Sequence, residues 1–308
     1  MARVFVTRRL PGSALERLGA AHELEVWPGR LAPSPAQLLQ HAHGAEGLLS
    51  TVDDRVDDTL LQSLPQLRVV ANYAVGYDNI DLAAAARHGI VVSHTPDVLT
   101  DATADLTWAL LLAAARQIVP AAAHAVEDWL TWEPCGFLGA SVTGATLAII
   151  GPGRIGRAVA ARAEGFAMRV LLVGRERGDL EAALSEADFV SLHCPLTPAT
   201  HHLINATTLA LMRPSAILLN TARGAIIDQV ALLAALEGGQ LAGAALDVTD
   251  PEPLPPEHPL LHTPGVLITP HIGSATRAAR TRMADIAVDN LLAALAGQPL
   301  LHPVPLPS

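Results

Sequence analysis

Short β-branched runs that are apolar along their whole length alternate with Ala/Leu-rich segments, and this alternation constrains the fold most. The strand candidates are Val4–Thr7, Gly47–Thr51, Arg68–Asn72 and Ile90–Ser93, then Thr146–Ile150, Arg169–Val173, Phe189–His193, Ala216–Asn220, Ala244–Val248 and Val266–Thr269. A strand with one wet face alternates apolar and polar residues. A strand that is apolar throughout is covered on both faces, as in a parallel sheet flanked by helices. Helix candidates fall between the runs, at Ser13–Leu18, Pro35–His41, Leu82–His88, Ile155–Phe166, Gln229–Glu237 and Thr276–Ala296. The predicted class is therefore doubly wound α/β.

The chain has 308 residues, enough for two domains at roughly 150 residues each. A long apolar helix candidate, Asp101–Val119, precedes an irregular stretch rich in Trp, Pro and Gly at Asp128–Gly139, and a new βαβ series opens at Thr146. The expected layout is one α/β domain, a connecting helix, then a nucleotide-type domain. The final helix has to leave that second domain.

Composition excludes several classes. Lys plus Arg number 20 against 30 Asp plus Glu, a net charge of −10 with histidine neutral. General nucleic-acid binding needs a basic surface, so no nucleic-acid partner is expected. Two cysteines, Cys135 and Cys194, make no disulfide framework, and no Cys/His cluster has zinc-site spacing, so no metal is expected. Met1 to Leu10 has no apolar core of a signal peptide. The longest apolar run, Trp108 to Ala115, is far short of the roughly 20 residues a membrane helix needs. A soluble protein of a reducing cytoplasm, with no membrane partner, is the expectation.

Gly151-Pro152-Gly153-Arg154-Ile155-Gly156 reads G-x-G-x-x-G directly after the strand Thr146–Ile150 and opens a helix. Gly151 permits the tight turn, Gly153 lets the backbone approach a pyrophosphate, and Gly156 lets helix and strand pack closely. The helix N-terminus then offers N–H groups and a positive dipole end to the phosphates, with Arg154 and Ile155 in the loop. Alone this pattern also fits a glycine turn without a ligand. The strand before it and the helix after it favour dinucleotide binding.

The end of the next strand separates the two nicotinamide cofactors. An NAD site usually places Asp or Glu there to accept bonds from the ribose hydroxyls. Here Val173 runs into Gly174-Arg175-Glu176-Arg177, with no acid at the strand end. Gly174 removes bulk and charge, and Arg175 and Arg177 can bind a 2′-phosphate bidentately. NADP is expected over NAD, with NAD possible; the alternative is a solvated loop in which Glu176 pairs with an arginine.

Three later blocks each begin as an apolar strand and end in polar residues with Gly or Pro: Leu219 to Gly224, Leu246 to Pro253 and Ile268 to Ser274. In open α/β sheets, ligands bind beyond the carboxyl ends of strands, so Arg223, Glu252 and His271 can converge on one cleft. Reducing a 2-keto acid needs a hydride and a proton for the nascent alkoxide. A histidine is the natural acid near neutral pH, and a nearby carboxylate favours its charged form and fixes its tautomer. Arg223 can bind a substrate carboxylate and polarise the carbonyl. Singly, each has a bland reading: one of 13 histidines, a loop glutamate among prolines, a structural arginine.

With these blocks in place the chain resembles the D-isomer-specific 2-hydroxyacid dehydrogenases, most like the glyoxylate/hydroxypyruvate reductases among them. The likeness runs over essentially the whole chain, through Asn72 to Asp81, Val98 to Asp105, the glycine turn, Asn220 to Gly224, Leu246 to Pro255 and Pro270 to Thr276. It implies a Rossmann dinucleotide-binding domain over 99–277 and a flavodoxin-like substrate domain over 1–98 and 278–308, with a cleft between them. His271 matches the proton donor, Glu252 its carboxylate partner and Arg223 the substrate-binding arginine. Val75 and Gly76 match the loop whose N–H groups hold the substrate carboxylate, and Ser274 falls in the substrate-binding set. Thr221 and Asp247 match residues lining the nicotinamide, with Asp247 near its carboxamide, and Ala222, His271 and Gly273 fall in the cofactor-binding set. His193, Cys194 and Pro195 match the segment along the adenosine. Trp132 falls where related reductases place a tryptophan that reaches the partner subunit's site, which implies a functional homodimer.

The implied reaction is NADPH-dependent reduction of glyoxylate and hydroxypyruvate to glycolate and D-glycerate. Two alternatives stay open. One is a dehydrogenase using NAD or another 2-keto acid, phosphoglycerate or a bulkier one. The other is a non-catalytic nicotinamide-sensing protein, since fold does not fix function. Trp108 reads as core, and Cys194 as a small apolar residue.

Overall fold

The computed structural model describes residues 1–175 and 178–307. The chain divides into two compact units, Met1–Leu99 with Ala275–Ser308, and Thr100–Ser274.

In the first unit, five strands are β1 (Arg3–Val6), β2 (Glu23–Val26), β3 (Gly47–Ser50), β4 (Val69–Asn72) and β5 (Val91–Ser93). All pair in parallel, in the order β2-β1-β3-β4-β5. Successive side chains of a strand point to opposite faces, and both faces are covered. Phe5, Leu48, Val70 and Val92 pack with Leu38, Leu61, Ala84 and Ala85 from the helices Pro35–Ala42, Asp58–Gln62 and Leu82–Arg87. Val4, Val6, Leu49, Val69 and Ala71 face the other way, onto Ala14 and Leu18 of Ala14–Ala21 and Ala284, Val288 and Leu291 of Arg277–Leu295. The helix Arg277–Leu295 therefore packs within the first unit; its N-cap Thr276 accepts from the Ala279 amide. Side-chain N-caps also start Pro35–Ala42 at Ser34 and Leu82–Arg87 at Asp81.

In the second unit, β6 (Thr146–Ile150), β7 (Arg169–Val173), β8 (Phe189–Leu192), β9 (Ile217–Asn220), β10 (Gly243–Leu246) and β11 (Val266–Ile268) form a parallel sheet in the order β11-β10-β9-β8-β6-β7. The strand order reverses between β6 and β8. A dinucleotide binds beyond the strand ends at such a reversal. The sheet is dinucleotide-type, with two strands, β6 and β7, in its first half. One face is covered by Thr100–Ala115 and Arg154–Arg162, through Ala104, Trp108, Leu111 and Val159. Gly178–Glu186, Ala206–Leu209 and Gln229–Glu237 cover the other through Leu184, Leu209 and Leu232. Trp108 is core: it stacks on Phe166 at 4.8 Å and donates its indole N–H to the Val159 carbonyl.

The structure departs from the sequence reading in several places, and the short helices Asp58–Gln62 and Ala206–Leu209 have no counterpart among the predicted ones. Strand β2 has no counterpart among the predicted runs. Its Glu-Leu-Glu-Val alternation belongs to an edge strand with one wet side, not to a run buried on both faces. The connecting helix ends at Ala115 and a second helix, Ile118–Glu127, follows, with Gln117 at φ 50° between them. The long helix predicted over Ile155–Phe166 is α-helical only to Arg162 and closes as a 3₁₀ turn at Ala163–Phe166. No single helix among the described residues is long and apolar enough to cross a membrane; Thr100–Ala115 and Ile118–Glu127 pass that test only as a pair bent by 58°.

Candidate active site

The glycine turn joins β6 to the helix Arg154–Arg162. Gly151 has φ +91°, and a Cβ there would stand 2.5 Å from the amide nitrogen of Cys194. A side chain is excluded twice, by conformation and by the neighbouring chain. At Gly156 a Cβ would lie 2.4 Å from the Gly151 carbonyl, so only glycine lets the helix sit this close to the turn. Gly153 differs: its φ is −74° and a Cβ would meet nothing within 4 Å. It is the helix N-cap, and no side chain caps it. An uncapped helix N-terminus under open space fits a pyrophosphate.

At the end of β7, Gly174 and Arg175 are exposed, and a Cβ on Gly174 would meet nothing within 4 Å. Arg177 lies outside the described residues. On the other side of β6, β8 leads into His193, Cys194 and Pro195. Burial pushes the His193 imidazole down to about 4, so it is neutral near pH 7, and its Nε2 lies 2.8 Å from the Ser191 hydroxyl. Burial pushes the Cys194 thiol up to about 11, which makes it a packing residue rather than a nucleophile.

Beyond β9, the buried Asn220 side chain ties its own loop: Oδ1 accepts from the Ala222 amide at 3.0 Å and Nδ2 donates to the Arg223 carbonyl at 2.8 Å. Thr221 Oγ1 lies 3.0 Å from Thr107 Oγ1 on the helix Thr100–Ala115. Gly224 makes the closest approach in the site. A Cβ there would fall 2.0 Å from the carbonyl carbon and oxygen of Thr249 and 2.6 Å from the Asp250 nitrogen. The Arg223 loop thus lies backbone against backbone on the loop that carries Glu252. Gln229 reinforces the contact, donating to the Asp250 carbonyl and accepting from its amide.

Glu252 accepts from His271 Nδ1 at 2.6 Å through one oxygen and from the Thr249 amide at 3.3 Å through the other. Burial acts to raise its carboxyl. The His271 hydrogen bond and charge, the Thr249 amide and the charge of nearby Arg223 outweigh burial and hold it below the ordinary carboxylate value. An ionised Glu252 is acceptor only, so the hydrogen between the two side chains sits on Nδ1. Nε2 is then the ring nitrogen turned away from Glu252, and it makes no hydrogen bond among the described residues.

His271 stands at φ 51° after β11, an unusual conformation held from below. Its amide donates to the carbonyls of Asp247 and Thr269. The Asp247 carboxylate accepts from the Thr269 hydroxyl at 2.6 Å and from the amides of Ile272 at 2.8 Å and Gly273 at 2.7 Å. Asp247 is 1% exposed; burial raises its carboxyl above the ordinary value, against the pull of these bonds and of the His271 charge. The sequence expectation set Asp247 beside the nicotinamide carboxamide. In the structure its carboxylate holds the turn that carries His271. Gly273 packs on that carboxylate and on Thr103, and Ser274, half-buried, ends the unit.

The structure therefore brings together Arg223, Glu252, His271, Asp247 and Gly273 within the second unit. Val75 and Gly76 lie in the first unit, in the loop after β4. Trp132 is 80% exposed, in the irregular stretch after Ile118–Glu127. Sequence reading assigned no role to Asn220, Gly224, Thr249, Gln229 and Thr269. Only Gly224 carried a signal, as a glycine directly after the arginine at a strand end.

The model of the D-isomer specific 2-hydroxyacid dehydrogenase NAD-binding domain matches residues 108–273. The chain is 45% identical to the glyoxylate reductase of Thermococcus litoralis, over 96% of this chain and 94% of that one. It belongs to the D-isomer specific 2-hydroxyacid dehydrogenases. A glyoxylate reductase of Aeropyrum pernix is 46% identical over 96% of this chain and 93% of its own. Among solved structures, a protein from Thermus thermophilus superposes with a TM-score of 0.93 at 53% identity, over 98% of this chain and 100% of that one. An NADPH-dependent glyoxylate/hydroxypyruvate reductase from Sinorhizobium meliloti, crystallised with NADP and malonate, superposes with a TM-score of 0.88 at 32% identity, covering 98% and 96% of the two chains. As a member of this dehydrogenase family the chain is an oxidoreductase with a Rossmann-type NAD-binding domain.

Proposed function

We propose that this dehydrogenase uses NADPH to reduce glyoxylate and hydroxypyruvate to glycolate and D-glycerate. The observation that carries the reading is the 2.6 Å bond from His271 Nδ1 to Glu252, which leaves Nε2 as the proton-carrying nitrogen, with the charge of Arg223 acting on the same carboxylate. Relatives named for glyoxylate reduction at 45% identity support the substrate class.

Gly151, Gly153 and Gly156 with the uncapped helix N-terminus would hold the pyrophosphate, and Gly174 and Arg175 the ribose 2′-phosphate. When bound, the reduced nicotinamide supplies the hydride for the keto carbon. The rest of the chemistry falls to the chain. Arg223 pairs with the substrate carboxylate and draws electron density toward the carbonyl oxygen. His271, protonated at Nε2, gives that proton to the nascent alkoxide. Glu252 keeps its bond to Nδ1 throughout and stabilises the imidazolium before transfer. Asp247 holds the turn, so the imidazole does not have to be ordered at the moment of reaction.

A homodimer is part of the proposal. The helix Ile118–Glu127 has no buried residue, and Val126, Trp129, Leu130, Trp132 and Leu138 are exposed along it and after it. So many exposed apolar side chains on one stretch of chain support an association site there. Beside it, a cavity of about 410 Å³ lined by Ala114, Val119, Pro120, Leu138, Val266 and Leu267 offers apolar walls for a partner's side chain.

The experiment is a small matrix: purified protein with NADPH or NADH against glyoxylate, hydroxypyruvate, pyruvate and phenylpyruvate, followed by nicotinamide absorbance. Fast NADPH oxidation with the first two acids is expected. Turnover only with phenylpyruvate would reject the substrate, and tight dinucleotide binding with no turnover would reject the enzyme.

A further inference from the structure

We propose that His94 and Asn72 are positioning residues that turn the loop after β4 into an anion-binding nest with three N–H donors. The inference deepens the keto-acid reading above and rests on it for the identity of the anion.

Three consecutive carbonyls of this loop are pinned. The Ala74 carbonyl accepts from the Thr95 amide at 2.8 Å. The Val75 carbonyl lies 2.9 Å from His94 Nδ1, and the Gly76 carbonyl accepts from Asn72 Nδ2 at 2.9 Å. All three peptide bonds are trans. In a planar trans peptide the C=O of one residue and the N–H of the next point in opposite directions. Fixing the carbonyls of Ala74, Val75 and Gly76 therefore aims the amides of Val75, Gly76 and Tyr77 away from Thr95, His94 and Asn72. These amides donate to no group among the described residues. Successive free N–H groups held in this way form a nest for an anionic oxygen.

The two side chains are themselves held. Asn72 is fully buried; its Oδ1 accepts from the Ser50 hydroxyl and its Nδ2 also reaches Asn79, which donates to the carbonyls of Thr51 and Asp54. His94 packs edge-on against Tyr77 at 5.6 Å. A carbonyl only accepts, so His94 must carry its hydrogen on Nδ1. The ligand class that suits three successive unpaired amides is a compact carboxylate, and Tyr77 supplies a donor that the sequence reading did not include.

The test uses His94→Phe, which keeps a ring against Tyr77 and removes the donor, and His94→Asn, whose amide nitrogen stands where Nδ1 stood. His94→Phe should raise KM for glyoxylate about tenfold, the worth of a weakened bond to a charged group, with kcat and NADPH affinity changed far less. His94→Asn should restore most of the loss, and both variants should melt near the wild type. Oxamate, a keto-acid analogue with no reducible carbonyl, should shift the amide resonances of Val75, Gly76 and Tyr77 in the labelled wild-type protein. In His94→Phe the same shifts should need about tenfold more oxamate. Wild-type resonances unmoved by saturating oxamate, an unchanged KM in His94→Phe, or no rescue by His94→Asn would each overturn the proposal. If the wild-type enzyme reduces none of the keto acids, the functional reading fails separately, while the oxamate titration still decides the nest.

Discussion

The amide of His271 donates to the carbonyl of Asp247 at 2.9 Å, while the Asp247 carboxylate takes the next two amides, those of Ile272 and Gly273. One buried acid thus braces three successive residues of a turn at positive φ. Asp247→Asn keeps the shape but turns one acceptor into a donor facing a donor. An unfolding free energy lower by ~1–3 kcal/mol is expected for the broken bonds. A fall in kcat of about tenfold or more should accompany it, since small misplacements of a reacting group are costly. Denaturant unfolding and steady-state kinetics on the same preparation check both.

Glu252 is held below its ordinary carboxylate value, so its folded pKa is lower than its unfolded one. Such a group stabilises the fold above the unfolded value, ~4.3 for Glu, and that contribution is lost as pH falls through the lower folded value. The stability gap between wild type and Glu252→Gln should be full at pH 7 and shrink on acidification below that range. A gap that widens toward low pH would mean that the carboxyl is protonated in the folded protein.

Gly151 and Gly153 separate folding from binding within one turn. Gly151→Ala forces a Cβ at φ +91° into the Cys194 backbone and should cost about 1–3 kcal/mol or more. Gly153→Ala adds a methyl where nothing lies within 4 Å, at φ −74°. It should melt near the wild type yet bind dinucleotide at least about tenfold more weakly, because the methyl occupies the phosphate's approach. Calorimetric melting and cofactor titration of both variants test the pair.

Arg175 is exposed at the end of β7, beside a glycine and with no acid there. Arg175→Asp replaces a guanidinium with a charge that repels a 2′-phosphate. NADPH affinity should drop by about ten- to a hundredfold, with little change for NADH. Equal losses for both cofactors would remove the case for NADP.

Trp132 tests the proposed dimer. Trp132→Ala should change the preference between glyoxylate and hydroxypyruvate if the ring reaches a partner's site, and light scattering should give twice the chain mass. A monomer at micromolar concentration would end that proposal.

How much of this was legible in the sequence depended on where the information lies. Strands buried on both faces announce themselves, and ten of the runs read from the sequence correspond to strands within a residue or two at their ends. Edge strand β2 does not, because half its residues answer to solvent. The break at Gln117 is marked only by Pro120, three residues on in the first turn of the next helix, and the predicted end at Val119 overshot Ala115 by four residues. At the site, strand ends with Arg223, Glu252 and His271 could be picked out, since few side chains offer that chemistry. The bracing role of Asp247 could not: an acid at a strand end looks the same in sequence whether it faces a ligand or three of its own chain's donors. Asn72 and His94 were silent for the same reason. Their work is done on carbonyls, which every residue carries.

The missing side chain at Gly224 has a consequence for anyone who would redesign the enzyme. With the Arg223 loop resting directly on the Thr249–Asp250 peptide, there is no compressible layer between the loop proposed to hold the substrate acid and the loop proposed to steady the proton donor. Displacing one backbone therefore displaces the other. An insertion in either loop should disturb both functions together, and new substrate preferences are better sought on surfaces that do not share that joint.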